Sequence, residues 1–125
     1  MTYNAKEALE AKSSGLPEDS ILDGVITKID DGKIKDFVDE QYHSKFEGGV
    51  DKPAINVELE IKNPENDEIV KTHQMFTYIE ENGKTLYSSK SNLGKYKVKY
   101  NKLPEPGDQI KVLTDGKGIA KIKIE

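Results

Sequence analysis

The sequence predicts a mainly β protein: a five-stranded Greek-key barrel with one helix between the third and fourth strands and a long loop after the first. Three observations carry this. From Pro53 to Ile61, the residues Ile55, Val57, Leu59 and Ile61 alternate strictly with Ala54, Asn56, Glu58 and Glu60, which is the period of a half-buried strand. Asn82-Gly83 is the strongest short signal for a two-residue hairpin turn. Leu93, Tyr96, Tyr100 and Leu103 then recur at steps of three, four and three, the spacing of one helix face. Another small barrel and an α+β sandwich are the competing arrangements of these elements.

The chain has 125 residues, enough for one domain with a modest core. Hydrophobic and charged residues each make up 34%, so part of the chain is expected outside the core. That part is residues 1–16, read as a flexible tail, with the folded domain at 17–125. Asn4 and Glu7 resemble a capping pair and Ala5 to Lys12 are good helix formers, but a helix so short is marginal alone. The chain has no cysteine, which excludes disulfides, thiolate metal sites and thiol catalysis. No apolar run approaches the roughly 20 residues of a membrane span, and the N-terminus lacks the apolar segment of a signal peptide. The expectation is a soluble, cytoplasmic protein with no membrane partner.

Taken in order, Ser20 to Asp30 reads as the first strand, with apolar residues on both parities and Gly24 marking a bend or bulge. Between Lys33 and Lys52, Ile34, Phe37, Val38, Tyr42 and Phe46 fall at roughly helical spacing. A connection this long is a binding loop, a lid or a cover for one end of the core. Pro53 to Ile61 is the second strand and Asn63 to Asp67 a polar turn. Glu68 to Glu80 is the third, with apolar residues on both parities that a bulge near His73-Gln74 would reconcile. Lys84 to Tyr87 returns from the Asn82-Gly83 turn. The helix follows, capped at its start by Ser88 or Ser89 and ended by Asn101 and Pro104. Lys95 to Tyr100 also alternates like a strand, but the longer window favours the helix. Gln109 to Leu113 and Ile119 to Ile124 form the last pair, joined by Asp115 to Gly118.

Three strands, a helix and a hairpin, a glycine inside the first strand, and the phrase Pro106-Gly107-Asp108-Gln109-Ile110-Lys111-Val112 together resemble an OB-fold domain. More loosely, the chain from Leu16-Pro17 onward resembles small archaeal or viral OB-fold proteins, including those that bind single-stranded DNA. The resemblance is at the level of the fold. It implies an oligonucleotide surface on strands two and three with the loops after strands one and four.

The charge pattern bears on that implication. Asn82 to Pro104 holds six lysines (Lys84, Lys90, Lys95, Lys97, Lys99, Lys102) and no acid, in a chain of net charge −4, which leaves −10 for the rest. All 19 basic residues are lysines, so nucleic-acid contacts would go mostly to phosphate. Single-strand binding also needs aromatic faces for stacking. The candidate nucleic-acid-binding residues are therefore Lys28, Tyr42, Phe76, Tyr78, Lys84, Tyr87, Lys90, Lys95 and Lys97. Against the usual mode, Glu58 and Glu60 face outward on strand two. The first loop is also acidic, through Asp36, Asp39, Glu40, Glu47 and Asp51. No catalytic constellation, phosphate loop or cofactor motif is present. His43 and His73 are isolated, and Asp39 and Glu40 beside His43 read as a solvated loop face rather than a metal site. The expected function is a non-catalytic module binding single-stranded DNA or RNA with weak sequence preference. The alternative is a protein-interaction module using the acidic loop and the tail, and the expected state is a monomer or weak dimer.

Overall fold

The structure is a computed structural model that describes residues 15–125. Of the expected tail, only Gly15 and Leu16 fall within it. A five-stranded antiparallel sheet, β1 (Ile21–Lys33), β2 (Pro53–Lys62), β3 (Ile69–Thr77), β6 (Gln109–Thr114) and β7 (Ala120–Ile122), curls into a nearly closed barrel in the order β3-β2-β1-β6-β7. A separate hairpin, β4 (Ile79–Glu81) and β5 (Lys84–Leu86), stands between β3 and the helix α2 (Asn92–Tyr100). The mainly β class and the single helix between the third and fourth barrel strands are as the sequence predicts, and the arrangement is compatible with an OB-like fold.

β1 makes the barrel possible. Its first residues, Ile21–Val25, pair with β6, while Gly24–Lys33 pair with β2, so one strand serves both halves and must bend. Gly24 sits where the two pairings overlap. A Cβ there would meet Val112 Cγ2 at 3.0 Å and the Glu60 carbonyl at 3.4 Å, so a side chain would have to push Val112 back by a few tenths of an ångström, and glycine lets the layers close without that shift. A bulge at Thr27, between the pairs Ile26↔Leu59 and Lys28↔Glu58, then swaps the parity. Leu22 and Ile26 before it and Ile29 after it therefore all face the core, which explains the apolar residues on both parities. The expected bulge at His73-Gln74 is not there: β3 pairs with β2 without interruption from Ile69 to Thr77. The strand instead ends at Tyr78, and Ile79–Glu81 belong to the hairpin. The parity conflict came from Ile69 and Ile79, which are 57% and 59% exposed and contribute nothing to the core.

The core joins Leu22, Ile26, Val57, Leu59, Ile61 and Phe76 to Ile110, Val112 and Ile122, with Leu93 and Tyr96 of α2 over one opening. At the other end Leu16 is buried. The Asn63 side chain donates to the Gly15 carbonyl there, and Thr114 Oγ1 donates to the Pro17 carbonyl and accepts from Ser20 N–H. The barrel does not close by backbone bonds between β3 and β7. The side chain of Gln74 bridges the seam, its Oε1 accepting from Ile122 N–H at 2.8 Å.

The long first connection packs outside the barrel. Its short helix α1 (Ile34–Phe37) lies against β1, β2 and β3, and Ile34 and Ala54 are buried there, apart from the main core. A 3-10 segment, Glu40–Lys45, follows instead of a continued α-helix. α2 is the helix the longer window predicts. Tyr96 is fully buried while Val98 is 81% exposed, whereas a strand would have placed both on one side. Its N-cap is Ser91, whose Oγ accepts from Gly94 N–H at 3.1 Å, and not Ser88 or Ser89. Asn101 ends the helix in the left-handed conformation at φ 63°.

Candidate nucleic-acid interface

The outer face of β2 and β3 follows from the register. Glu58 lies opposite His73, and Glu60 opposite Lys71. The pairs stand 3.5 Å and 3.6 Å apart, and Glu58 also accepts from Thr27 Oγ1 at 2.8 Å. That hydrogen bond, with Lys71 and His73 nearby, holds the Glu58 carboxyl below its usual range. On this face Lys71 pairs with Glu60, while Glu58 is held by the Thr27 hydroxyl beside His73. The face presents no ring, because the β3 aromatic, Phe76, points inward. Phe76 is 1% exposed and packs edge-to-face on Tyr96, with centroids 6.4 Å apart. It therefore leaves the set of stacking candidates.

Charge and aromatic surface meet elsewhere. Tyr78 and Tyr87 line one groove of about 390 Å³ between the hairpin and the barrel, together with Lys52, Pro53, Ile79, Glu80, Leu86 and Ser88. Several local features put them there. Tyr78 follows the last β3 pair and its N–H donates to the Pro53 carbonyl at 3.2 Å, which carries the ladder one residue further before the hairpin begins at Ile79. The Asn82-Gly83 turn, with φ of 53° and 75°, brings the chain back so that Ile79 faces Leu86. Gly94 then allows α2 to lie on the loop after the hairpin. A Cβ there would stand 2.2 Å from the Ser88 carbonyl oxygen. The result places Lys97 Nζ 5.6 Å from the centroid of the Tyr87 ring.

The other candidates divide by their partners. Lys95 lies 3.6 Å from Glu125, and Lys28 3.5 Å from Asp30. Lys102, which was not a candidate, is held by Glu105 and Asp108. Among the described residues Lys84, Lys90, Lys97 and Lys99 have no ion pair, so the lysine-rich stretch keeps four uncompensated charges. Tyr42 is 44% exposed under Lys45 in the first loop, and neither Tyr42 nor Lys28 lines the groove. The structure thus brings together Tyr78 and Tyr87 on the groove and Lys97 over the Tyr87 ring, while Lys84 on β5 and Lys90 in the turn before α2 do not line it.

A second cavity beside the groove was not foreseen. The Tyr78 hydroxyl donates to Asp31 Oδ1 at 2.6 Å. This bond, with burial, pushes the Tyr78 pKa up to about 12. Asp31, Asp36, Glu80 and Lys33 line a second cavity of about 320 Å³ that shares Pro53, Tyr78 and Glu80 with the first. Tyr78 and Asp31 lie 47 residues apart, so no local pattern could have linked them. Among the described residues no group of three or more His, Asp or Glu side chains could hold a metal ion, and no helix is long and apolar enough to cross a membrane. No protein-family model, curated protein or solved structure matches the chain.

Proposed function

We propose that this chain is a non-catalytic, cytoplasmic OB-fold module that binds single-stranded DNA or RNA with weak sequence preference. In this reading the strand lies in the groove between the hairpin and the barrel, not on the outer face of β2 and β3. The observation that carries it is the placement of Lys97 against the Tyr87 ring, with Tyr78 on the same groove. A single strand needs phosphate partners and stacking faces within one nucleotide's reach of each other, and a stacked base contributes about 1–3 kcal/mol. Lys84, Lys90, Lys97 and Lys99 supply the charge. If each meets one phosphate, the logarithm of affinity falls with the logarithm of salt at a slope of roughly −3.

The test is fluorescence anisotropy of a labelled single-stranded oligonucleotide at two salt concentrations. Saturable binding that weakens with that slope, and weakens further in Lys97→Glu and Tyr87→Ala, is the expected result. A flat trace at low salt with protein in large excess would remove the reading. A protein-interaction module would then lead, favoured by the exposed cross-strand pair Ile79 and Leu86 on the groove and by the acidic first loop. The tail invoked in that reading, before Gly15, lies outside the described residues.

A further inference from the structure

Four Asx-Gly dipeptides stand in the chain: Asp23-Gly24, Asp31-Gly32, Asn82-Gly83 and Asp115-Gly116. In each, the backbone nitrogen of the glycine can attack the side-chain carbonyl carbon of the residue before it, because no β-carbon shields the approach. The fold restrains three of them. Asp23 and Asp31 lie in β1, paired across to Lys111 and Ile55, and their carboxylates accept from Lys111 Nζ and the Tyr78 hydroxyl. Asp115 Oδ1 accepts from the Lys117 and Ile119 N–H groups at 2.8 and 2.9 Å. Asn82 is different. Among the described residues its side chain has no hydrogen bond, and neither has the Gly83 N–H. Both residues are exposed, and a Cβ on Gly83 would meet nothing within 4 Å.

The turn protects Asn82 only while it stays closed. With φ of 53° and 75°, Asn82 and Gly83 hold the two-residue hairpin conformation, and Asn82 must rotate out of it before its Cγ can close a five-membered ring on the Gly83 nitrogen. Opening is easy here. β4 and β5 pair over three residues each, all exposed, as a sheet of their own, and a two-stranded hairpin of that kind is marginally stable at best. We infer that Asn82-Gly83 is a site of spontaneous deamidation, by which the hairpin loses the register that shapes the groove as the protein ages. The Gly83 nitrogen gives up its proton and attacks Asn82 Cγ. The new N–Cγ bond closes a succinimide, the Cγ–Nδ2 bond breaks, and ammonia leaves with the proton. Water then opens the ring. Hydrolysis at Cγ gives aspartate, and hydrolysis at the Asn82 main-chain carbonyl gives isoaspartate, whose backbone runs through the side-chain methylene. In sum an amide and water become a carboxylate and ammonium, with no change of oxidation state. Either product sets a new carboxylate beside Glu81, at the start of the lysine-rich stretch. Isoaspartate also lengthens a two-residue turn by one backbone atom, and turn length fixes hairpin register. Ile79, Glu80 and Leu86 line the groove from the hairpin, so a change in their pairing changes its wall.

The test uses the full, unaltered chain, kept at mildly alkaline pH once in buffer and once in denaturant, then cut after its lysines and weighed by mass spectrometry. Peptide 72–84 holds Asn82 as its one asparagine, 63–71 holds Asn63 and Asn66, and 100–102 holds Asn101. Asn101 is the internal control, since it shares the left-handed φ, at 63°, but precedes Lys102 instead of a glycine. The expected result is amide loss in 72–84, part of it as isoaspartate, with the other two peptides intact over the same interval. Because the hairpin opens readily, the rate in buffer should lie within about tenfold of the rate in denaturant. Loss in buffer slower than that margin, or as fast at Asn101 as at Asn82, overturns the site. Anion exchange then isolates the aged chain. Its hairpin amides should exchange hydrogen faster than those of the fresh chain, while β1 and β2 keep their protection. Equal exchange in the hairpin overturns the loss of register. None of these measurements needs a ligand, so they hold whatever the groove binds.

Discussion

Tyr78 is the residue on which the most physical chemistry converges. Its hydroxyl is the donor to Asp31, so a phenolate there would face a carboxylate at hydrogen-bond distance. With its pKa raised to about 12 from an ordinary 10, folding should gain nothing from this bond above the upper value. The sign follows from linkage. The folded state holds the proton that the unfolded state releases, so the contribution is complete below pH 10 and fades between 10 and 12. Ultraviolet titration of the tyrosinates should show a component near pH 12 that is lost in Tyr78→Phe, while Tyr96, whose pKa burial and Asp108 also raise, stays protonated in both chains. Asp108 makes the opposite case. Burial disfavours its charge, but hydrogen bonds from Lys102, Tyr96 and the Glu105 N–H outweigh burial and hold its pKa below the usual carboxylate range. Its contribution is complete above about pH 4 and is lost as the pH falls through the folded value. Acid unfolding of Asp108→Asn should therefore be less steep than that of the unaltered chain, from a lower stability at neutral pH.

At the scale of elements, α2 is held to the hairpin loop by one missing methyl group. Gly94→Ala would drive Cβ into the Ser88 carbonyl, and the helix must lift or the loop must shift. We expect a loss of about 1–3 kcal/mol in denaturant unfolding. The exposure of Tyr87 should rise, because Lys97 moves with the helix. Ser91→Ala, which removes the cap and the Ser91 hydroxyl's hydrogen bond to the Ser88 carbonyl, should cost about 1–2 kcal/mol without the clash that Gly94→Ala brings. The contrast between these elements shows what the sequence could convey. β2 and α2 were legible because their buried residues obey one period and their exposed ones break it, as Val98 does against Tyr96. β3 was not, because Ile69 and Ile79 are apolar yet solvated, and parity counts them as if they were buried. The true bulge was announced in β1, where apolar residues stand on both parities around Thr27 and all the buried ones face inward. The groove was legible only in half: lysines and tyrosines interleave between Asn82 and Pro104, but Asp31, which holds the Tyr78 hydroxyl, arrives from a distant strand.

For the molecule as a whole, the barrel is a closed shape with an open bond network. β7 is paired along three residues to β6, and on its other edge Gln74 supplies the hydrogen bond to Ile122. Gln74→Ala leaves the Ile122 N–H without that acceptor. Its hydrogen exchange should accelerate ahead of the β1–β2 amides, with a stability loss of about 1–2 kcal/mol. Equal protection in both chains would show that the seam closes by other means. The first described residues also carry a practical consequence. Gly15 and Leu16 are fastened beside the β2–β3 turn, at the Ile69 end of β3, while the tyrosine groove opens at the Thr77 end. Nine extended residues separate the two, about 30 Å of strand. A support coupled at Gly15 itself meets the molecule at the Ile69 end of β3, so immobilisation at that residue should leave the groove facing the solution.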